Sequence, residues 1–298
     1  MSIKSILCVY NGETSELNAL SLSLSLAVTG HASLRVLHVA NNALPLGEGF
    51  GIVGYGISAY GDGAVMEVLE RGAREETEIA RTRTVSYVES HGLKVSEDAE
   101  TWPLGQCHVT FRTVTGEIST VIPREGRTVD LVVVPYLSGA GGDLATLLSA
   151  LYATGRPVLA MPSTAKVPAS KTGFASKVCI AWDGSLSASR AVREAVPHLL
   201  HAQDVYLVRI QQAREAQDAV SEADIKAYLR SHCIEATSLH IAAGHHLPGE
   251  ALLQKAGTLD AELLVMGAYG NTHIGEFLFG GTTDYVVKHA HLPLLLTH

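Results

Sequence analysis

"KVCIAWDGSLSASRAVREAVPHL", residues 177–199, opens on a short apolar run, turns through Asp183 and Gly184, and continues as a helical pattern. An earlier stretch, "SILCVYNGETSELNALSLSLSLA" (5–27), follows the same plan, with Gly12 in its turn and Ser15 where the later copy has Ser187. The correspondence extends outward from both. Each helix is followed by a second strand, "SLRVLHV" and "DVYLVRI". Further on come "DLVVVPY" and "AELLVMG", and each copy closes on an apolar strand around a proline, "RPVLAM" and "LPLLLT". Self-similarity of this kind marks a duplicated structural unit. Strands rich in Val, Leu and Ile that alternate with amphipathic segments imply βαβ units. Their near-continuous apolar character implies parallel strands covered on both faces.

The chain has 298 residues, and at roughly 150 residues per domain this length matches two units. The stretch "PSTAKVPASKTGFAS" (162–176) is rich in Pro, Ser, Thr and Lys and reads as the linker. The domains are accordingly placed at 1–163 and 174–298. The first is longer because of an insertion at 43–63 and extra residues near 110–126. A long helix is expected over 64–92, ending in glycine, and another over 221–233, where Ser221 precedes Asp224 at near capping-box spacing. Both read as scaffold.

Hydrophobic residues make up 47% of the chain and charged residues 17%, enough for real cores. The net charge of −8 lacks the basic footprint that a phosphate backbone requires, which argues against nucleic acid as a partner. Cys8, Cys107, Cys179 and Cys233 are scattered without a CxxC pair, so reduced thiols are expected rather than a disulfide framework or a thiolate zinc site. "LSLSLSLAV" is short, serine-interrupted and preceded by Glu13 and Glu16, which does not read as a signal peptide. No apolar run approaches the ~20 residues of a membrane span. The expectation is a cytoplasmic protein without a membrane partner.

The stretch richest in chemistry is "GAYGNTHIGEFLFGGTT" (267–283), between an apolar strand and a helix-like segment at 282–290. A loop entering a helix N-terminus presents unpaired N–H groups and the positive end of the helix dipole, which together attract phosphate. Gly267, Gly270 and Gly280 would let the main chain approach an anion, although glycines also serve simple tight turns. Thr282 and Thr283 could donate hydroxyls or cap the helix. Asp183 reads equally as a site residue or a helix cap.

Other signals carry less. "GFGIVG" (49–54) matches GxGxxG but neither follows a strand nor opens a helix, so it reads as a surface loop. No P-loop and no GxSxG elbow is present. Adjacent His245 and His246 would face opposite sides of a strand. His289 and His291 fit an interaction with a helix dipole better than a metal, and His273 in the glycine loop reads as solvent-exposed in preference to a phosphate contact.

The order strand, Gly-x2-Gly-x9-Gly, helix, proline-containing strand resembles the universal stress protein family, and "AWDGS" (181–185) is similar to that family's opening VDGS signature. The resemblance covers both halves, so the chain looks like a tandem universal stress protein. It implies two flavodoxin-like, adenine-nucleotide α-hydrolase-like domains, each a five-stranded, mainly parallel sheet flanked by helices. It also implies ATP or a related adenine nucleotide in the second half, with Mg2+ on its phosphates. The positions that match are Ala181 and Asp183 after the first strand, Ile210 at the end of the second, and Met266, Gly267, Gly270, Gly280, Gly281, Thr282 and Thr283 in the loop. Gly281 departs from the family pattern, which has Ser or Thr there. The first half departs further. Asn11 replaces the acidic residue and Pro135, which has no N–H, stands where the first glycine belongs.

The function so implied is a stress-response adenine-nucleotide sensor or regulator, with no catalytic residue evident beside the loop. The alternatives are a nucleotide-free interaction scaffold and a slow ATP hydrolase. The halves are expected to pair through their closing strands as an intramolecular pseudo-dimer, either alone or within a homodimer, the latter preferred.

Overall fold

The computed structural model describes residues 2–40, 62–96, 105–139, 144–167, 174–211, 219–242, 247–268 and 281–298. The first half begins with β1 (Ser5–Val9), a short 3-10 turn, α1 (Leu17–Gly30) and β2 (Ser33–Ala40). It continues with α2 (Asp62–Ser90), β3 (Val95–Ser96), β4 (His108–Thr115) and α3 (Ile118–Gly126). β5 (Leu131–Tyr136), α4 (Ala145–Ala153) and β6 (Val158–Pro162) close it. The second half runs β7 (Lys177–Ala181), α5 (Leu186–Leu199), β8 (Asp204–Gln211), α6 (Glu222–Ser231) and β9 (Thr237–Ala242). It ends with α7 (Pro248–Thr258), β10 (Leu263–Gly267), α8 (Gly281–His289) and β11 (Leu294–Thr297).

These strands form one sheet in the order β3-β4-β2-β1-β5-β6-β11-β10-β7-β8-β9. The expectation from sequence was a five-stranded sheet in each half, with the halves paired through their closing strands. Those strands, β6 and β11, lie side by side in one continuous sheet, and β3 adds a sixth strand to the first half, outside β4. Every neighbouring pair is parallel except the central one, where β6 and β11 run antiparallel with Leu295 opposite Leu159. The fold is α/β, a mainly parallel sheet flanked by helices. Apolar side chains alternate between its two faces, and each face carries a core that contains residues of both halves.

The two halves resemble each other in side-chain detail. The Asp130 carboxylate accepts the backbone N–H groups of Lys4 and Ser5, at 2.8 and 3.0 Å, tying the entry of β5 to that of β1. Glu262 takes the N–H groups of Ser176 and Lys177 in the same way. "YVESHGL" (87–93) and "YLRSHCI" (228–234) close α2 and α6 alike. In each, the serine hydroxyl donates to the tyrosine carbonyl at 2.7 Å and the histidine ring packs on the tyrosine ring, at centroid distances of 4.6 and 4.8 Å. Both helices end in left-handed residues, Gly92 and Cys233, with the following N–H returning to the carbonyl of Val88 or Leu229.

Three boundaries differ from the sequence reading. Residues 110–126 are not extra: they are β4 and α3, which correspond to β9 and α7. The linker is partly core, because Ala165, Phe174 and Ala175 are buried and Asn18 donates to the Ala165 carbonyl at 2.8 Å. α2 spans Asp62–Ser90 rather than 64–92. Matched on the tyrosines, it starts roughly five turns before the point where α6 begins. The 43–63 insertion lies outside the described residues except for the start of α2. Among the described residues no helix is long and apolar enough to cross a membrane.

Candidate functional site

From β7 the chain proceeds to β8 and β9 on one side, then returns to place β10 on the other. The carboxyl ends of β7 and β10 therefore flank a topological switch point, the place where ligands collect in open α/β sheets. Asp183 and Gly267 sit on its two sides.

The β7 turn is tightly built. Trp182 N–H donates to Val208 O at 2.9 Å, carrying the β7–β8 pairing one residue past the strand. Gly184 has φ 78°, and a Cβ on it would lie 2.8 Å from Ala219 Cβ and 2.9 Å from Val220 O, so both conformation and packing require glycine. Ser185 is the helix cap: its hydroxyl accepts Ala188 N–H at 3.2 Å. Asp183 is not the cap. One of its carboxylate oxygens accepts Ser185 N–H at 2.9 Å, and the residue is exposed.

On the β10 side, a Cβ on Gly267 would meet Ser187 C and Ala188 N at 2.5 Å. This glycine thus lets the strand end abut the first turn of α5. Thr297 Oγ1 fastens the same turn by donating to Ser187 O at 3.2 Å, and Ala268 N–H donates to Thr297 O at 2.7 Å. Ala181, Ile210 and Met266 all turn their side chains to the sheet face covered by α7 and α8, so only their main-chain groups are free to meet a ligand at the strand ends. Gly281 is the first residue of α8, and a Cβ there would meet no described residue within 4 Å. Thr282 is half-buried and Thr283 is buried, which leaves Thr282 the more accessible hydroxyl. Gly270, Gly280 and His273 lie outside the described residues, as do His245, His246 and 49–54. His289 stacks on Tyr285 at 4.1 Å in the last turn of α8, and His291 Nδ1 lies 3.2 Å from Thr164 Oγ1 in the other half.

The corresponding place in the first half is furnished differently. Tyr10 N–H donates to Leu37 O at 2.9 Å, as Trp182 does to Val208, and Gly12 has φ 89° against Ala80 of α2. Here, however, the turn closes on its own carboxylate. Glu16 accepts Asn11 N–H at 2.7 Å, Asn11 Nδ2 at 3.3 Å and Glu13 N–H at 3.4 Å. Burial raises the Glu16 pKa against these bonds. Arg83 of α2 donates to Gly12 O. The sheet registers, Cys8 with Val133 and Ile180 with Val265, put Pro135 at the position of Gly267. Glu16 was not among the expected residues; the Glu13-x-x-Glu16 spacing of a capping box was its signal.

Comparison with known families bears on one half directly. Residues 175–298 match the Universal stress protein family. Among solved structures, a universal stress protein from Archaeoglobus fulgidus DSM 4304 superposes with a TM-score of 0.70 at 14% identity, covering 98% of this chain and 97% of that one. A functionally unknown protein from Pseudomonas aeruginosa PAO1 follows at 0.54, with 16% identity and coverage of 99% and 92%. A putative universal stress protein from Pseudomonas aeruginosa UCBPP-PA14 stands at 0.52, with 15% identity and coverage of 99% and 93%. At these identities the likeness is one of fold, and it extends over both halves. No curated protein matches the chain.

Proposed function

We propose that the second half binds an adenine nucleotide, ATP or a close relative, and that the protein acts through that binding as a sensor or regulator in a stress response. The observation that carries this reading is the β7/β10 switch point, with an exposed Asp183 on one side and the α8 N-terminus after β10, inside the segment that matches the universal stress protein family. Asp183 and the main chain at Ala181, Ile210 and Met266 would hold the base and ribose. Gly267, Gly270, Gly280, Gly281, Thr282 and Thr283 would lie along the phosphates, whose charge Mg2+ would share. The fit at Gly281 is favourable for close approach, since no described residue crowds its Cα, and unfavourable for lack of a hydroxyl. The first half contributes no equivalent site, because Pro135 removes an N–H and Glu16 occupies its turn donors. On this reading any hydrolysis is slow and the protein acts through binding.

The test is the nucleotide itself. Protein purified and then denatured should release an adenine nucleotide, identified by mass spectrometry, and calorimetry with Mg-ATP should give one site per chain. Gly270→Val and Gly280→Val should abolish binding while the protein stays folded. Undiminished binding in both variants, or two equivalent sites, would overturn the assignment. A nucleotide-free scaffold is the second reading, favoured by the missing hydroxyl at Gly281, and absence of any nucleotide binding would support it.

A further inference from the structure

At the carboxyl ends of β5 and β10 the two halves meet the same bonding need differently. In the first half the carbonyl of Tyr136 accepts the Ser163 N–H at 2.9 Å. The strand registers make Ala268 the counterpart of Tyr136. Ala268 N–H donates to Thr297 O at 2.7 Å, but its carbonyl is met by a side chain, with His298 Nδ1 3.4 Å away. A carbonyl oxygen only accepts, so this bond requires the proton on Nδ1. A main-chain bond is fixed by the strands that make it. A side-chain bond lasts only while one rotamer is held, and holding it costs entropy.

Two groups hold this one. Arg190 of α5 donates from its guanidinium to His298 O at 3.2 Å, which ties down the main chain of that residue. The imidazole is held from the other half. Tyr152, on α4, meets it edge-on at a centroid distance of 4.8 Å, a favoured geometry for a pair of rings. Leu147, Ala150 and Leu151 bury the inner face of α4, so Tyr152 projects from an anchored helix although it is itself 40% exposed. The contacts therefore run from Tyr152 through His298 to Ala268, from the first half to the residue that follows Gly267.

We infer that Tyr152 is a positioning residue for the nucleotide site of the second half: by packing on His298 it holds the carboxyl end of β10, and the first half thereby sets the affinity of the second. The inference takes its ligand from the nucleotide reading above, whereas the contact it invokes is independent of that reading. It gives the first half, for which no equivalent site is proposed, a part in binding.

The full chain is titrated with Mg-ATP by calorimetry, and exchange of the Ala268 amide hydrogen is followed by NMR without nucleotide. Tyr152→Ala should weaken Mg-ATP by about threefold to tenfold. It should also speed Ala268 exchange. Tyr152→Phe, which keeps the ring, should restore both. His298→Ala should act as Tyr152→Ala does, and the double variant should be no weaker than the worse single one, because both act through one chain of contacts. Unchanged Mg-ATP affinity in the folded Tyr152→Ala variant overturns the inference. So do unchanged Ala268 exchange, additive losses in the double variant, and a Tyr152→Phe that behaves like Tyr152→Ala. A wild type that binds no Mg-ATP overturns the nucleotide reading instead. Exchange alone then decides whether Tyr152 braces β10: faster exchange in Tyr152→Ala supports it, and unchanged exchange overturns it.

Discussion

At Cys233 the backbone has φ 61°, and at its counterpart Gly92 it has φ 75°. A side chain in this left-handed region costs roughly 1–2 kcal/mol, against roughly 0.5–1 kcal/mol for the extra freedom of glycine in the unfolded chain. Cys233 is exposed, so its replacement removes little packing. Cys233→Gly should therefore stabilise the protein by about 0.5–1 kcal/mol, seen as a higher urea midpoint at unchanged slope. A lower midpoint would show that the thiol makes a contribution the geometry does not reveal. Gly267 poses the opposite case. Its missing Cβ is what admits the first turn of α5, so Gly267→Ala should cost about 1–3 kcal/mol whether or not nucleotide is present. A loss confined to nucleotide affinity, with stability intact, would return this residue to a purely ligand-binding role. In the sequence the two roles were indistinguishable, because a glycine needed for a phosphate and one needed for a helix are written with the same letter.

Among the elements, the buried strands were the most legible. β1, β2, β5 and β6 and their counterparts β7, β8, β10 and β11 announce themselves as apolar runs because both faces of the sheet are covered. β4 and β9 went unlocated for the converse reason: they lie toward the sheet's edges, and six of the eight residues of β4 and all of β9 carry exposed or half-buried side chains. Reading 110–126 as extra residues was the consequence. The helix termini fared better where capping chemistry is local, as at Ser221, whose hydroxyl accepts Asp224 N–H at 3.1 Å. α5 supplies a test at this scale. Burial, with His201 second, lowers the His198 pKa from 6.5 to about 4. The unfolded chain thus takes up the proton first, so the stability in question is fully present above 6.5 and is lost as pH falls toward 4. His38 is lowered in the same direction by burial, whereas the raised Glu16 works in the opposite one. Between pH 7 and pH 5 the wild type should lose about 2 kcal/mol more than His198→Phe, measured by urea unfolding at both pH values. An identical loss in the two proteins would mean that His198 is solvated in the folded state.

For the whole molecule the decisive feature is the single antiparallel seam. β6 and β11 meet with Leu294, Leu295 and Leu296 opposite Ala160, Leu159 and Val158, all of them buried, so the two halves are joined by main-chain hydrogen bonds and by core on both faces. The near-symmetry of the sheet about this seam means that β11 offers β6 much the same edge that β6 offers β11. Removal of the first half would leave β11 as an exposed apolar edge, which proteins seldom tolerate. The edge's most similar available partner would be a second β11, antiparallel across a true two-fold axis. Residues 174–298 expressed alone should accordingly sediment as a dimer, and Leu295→Lys, which places a charge at the centre of that seam, should drive the dimer apart. In the full chain the same substitution has no second copy to release and should appear as lost stability instead. A well-folded 174–298 that sediments as a monomer at every concentration would show that β11 needs no strand beside it, and that the seam joins the halves without being what their closing strands require.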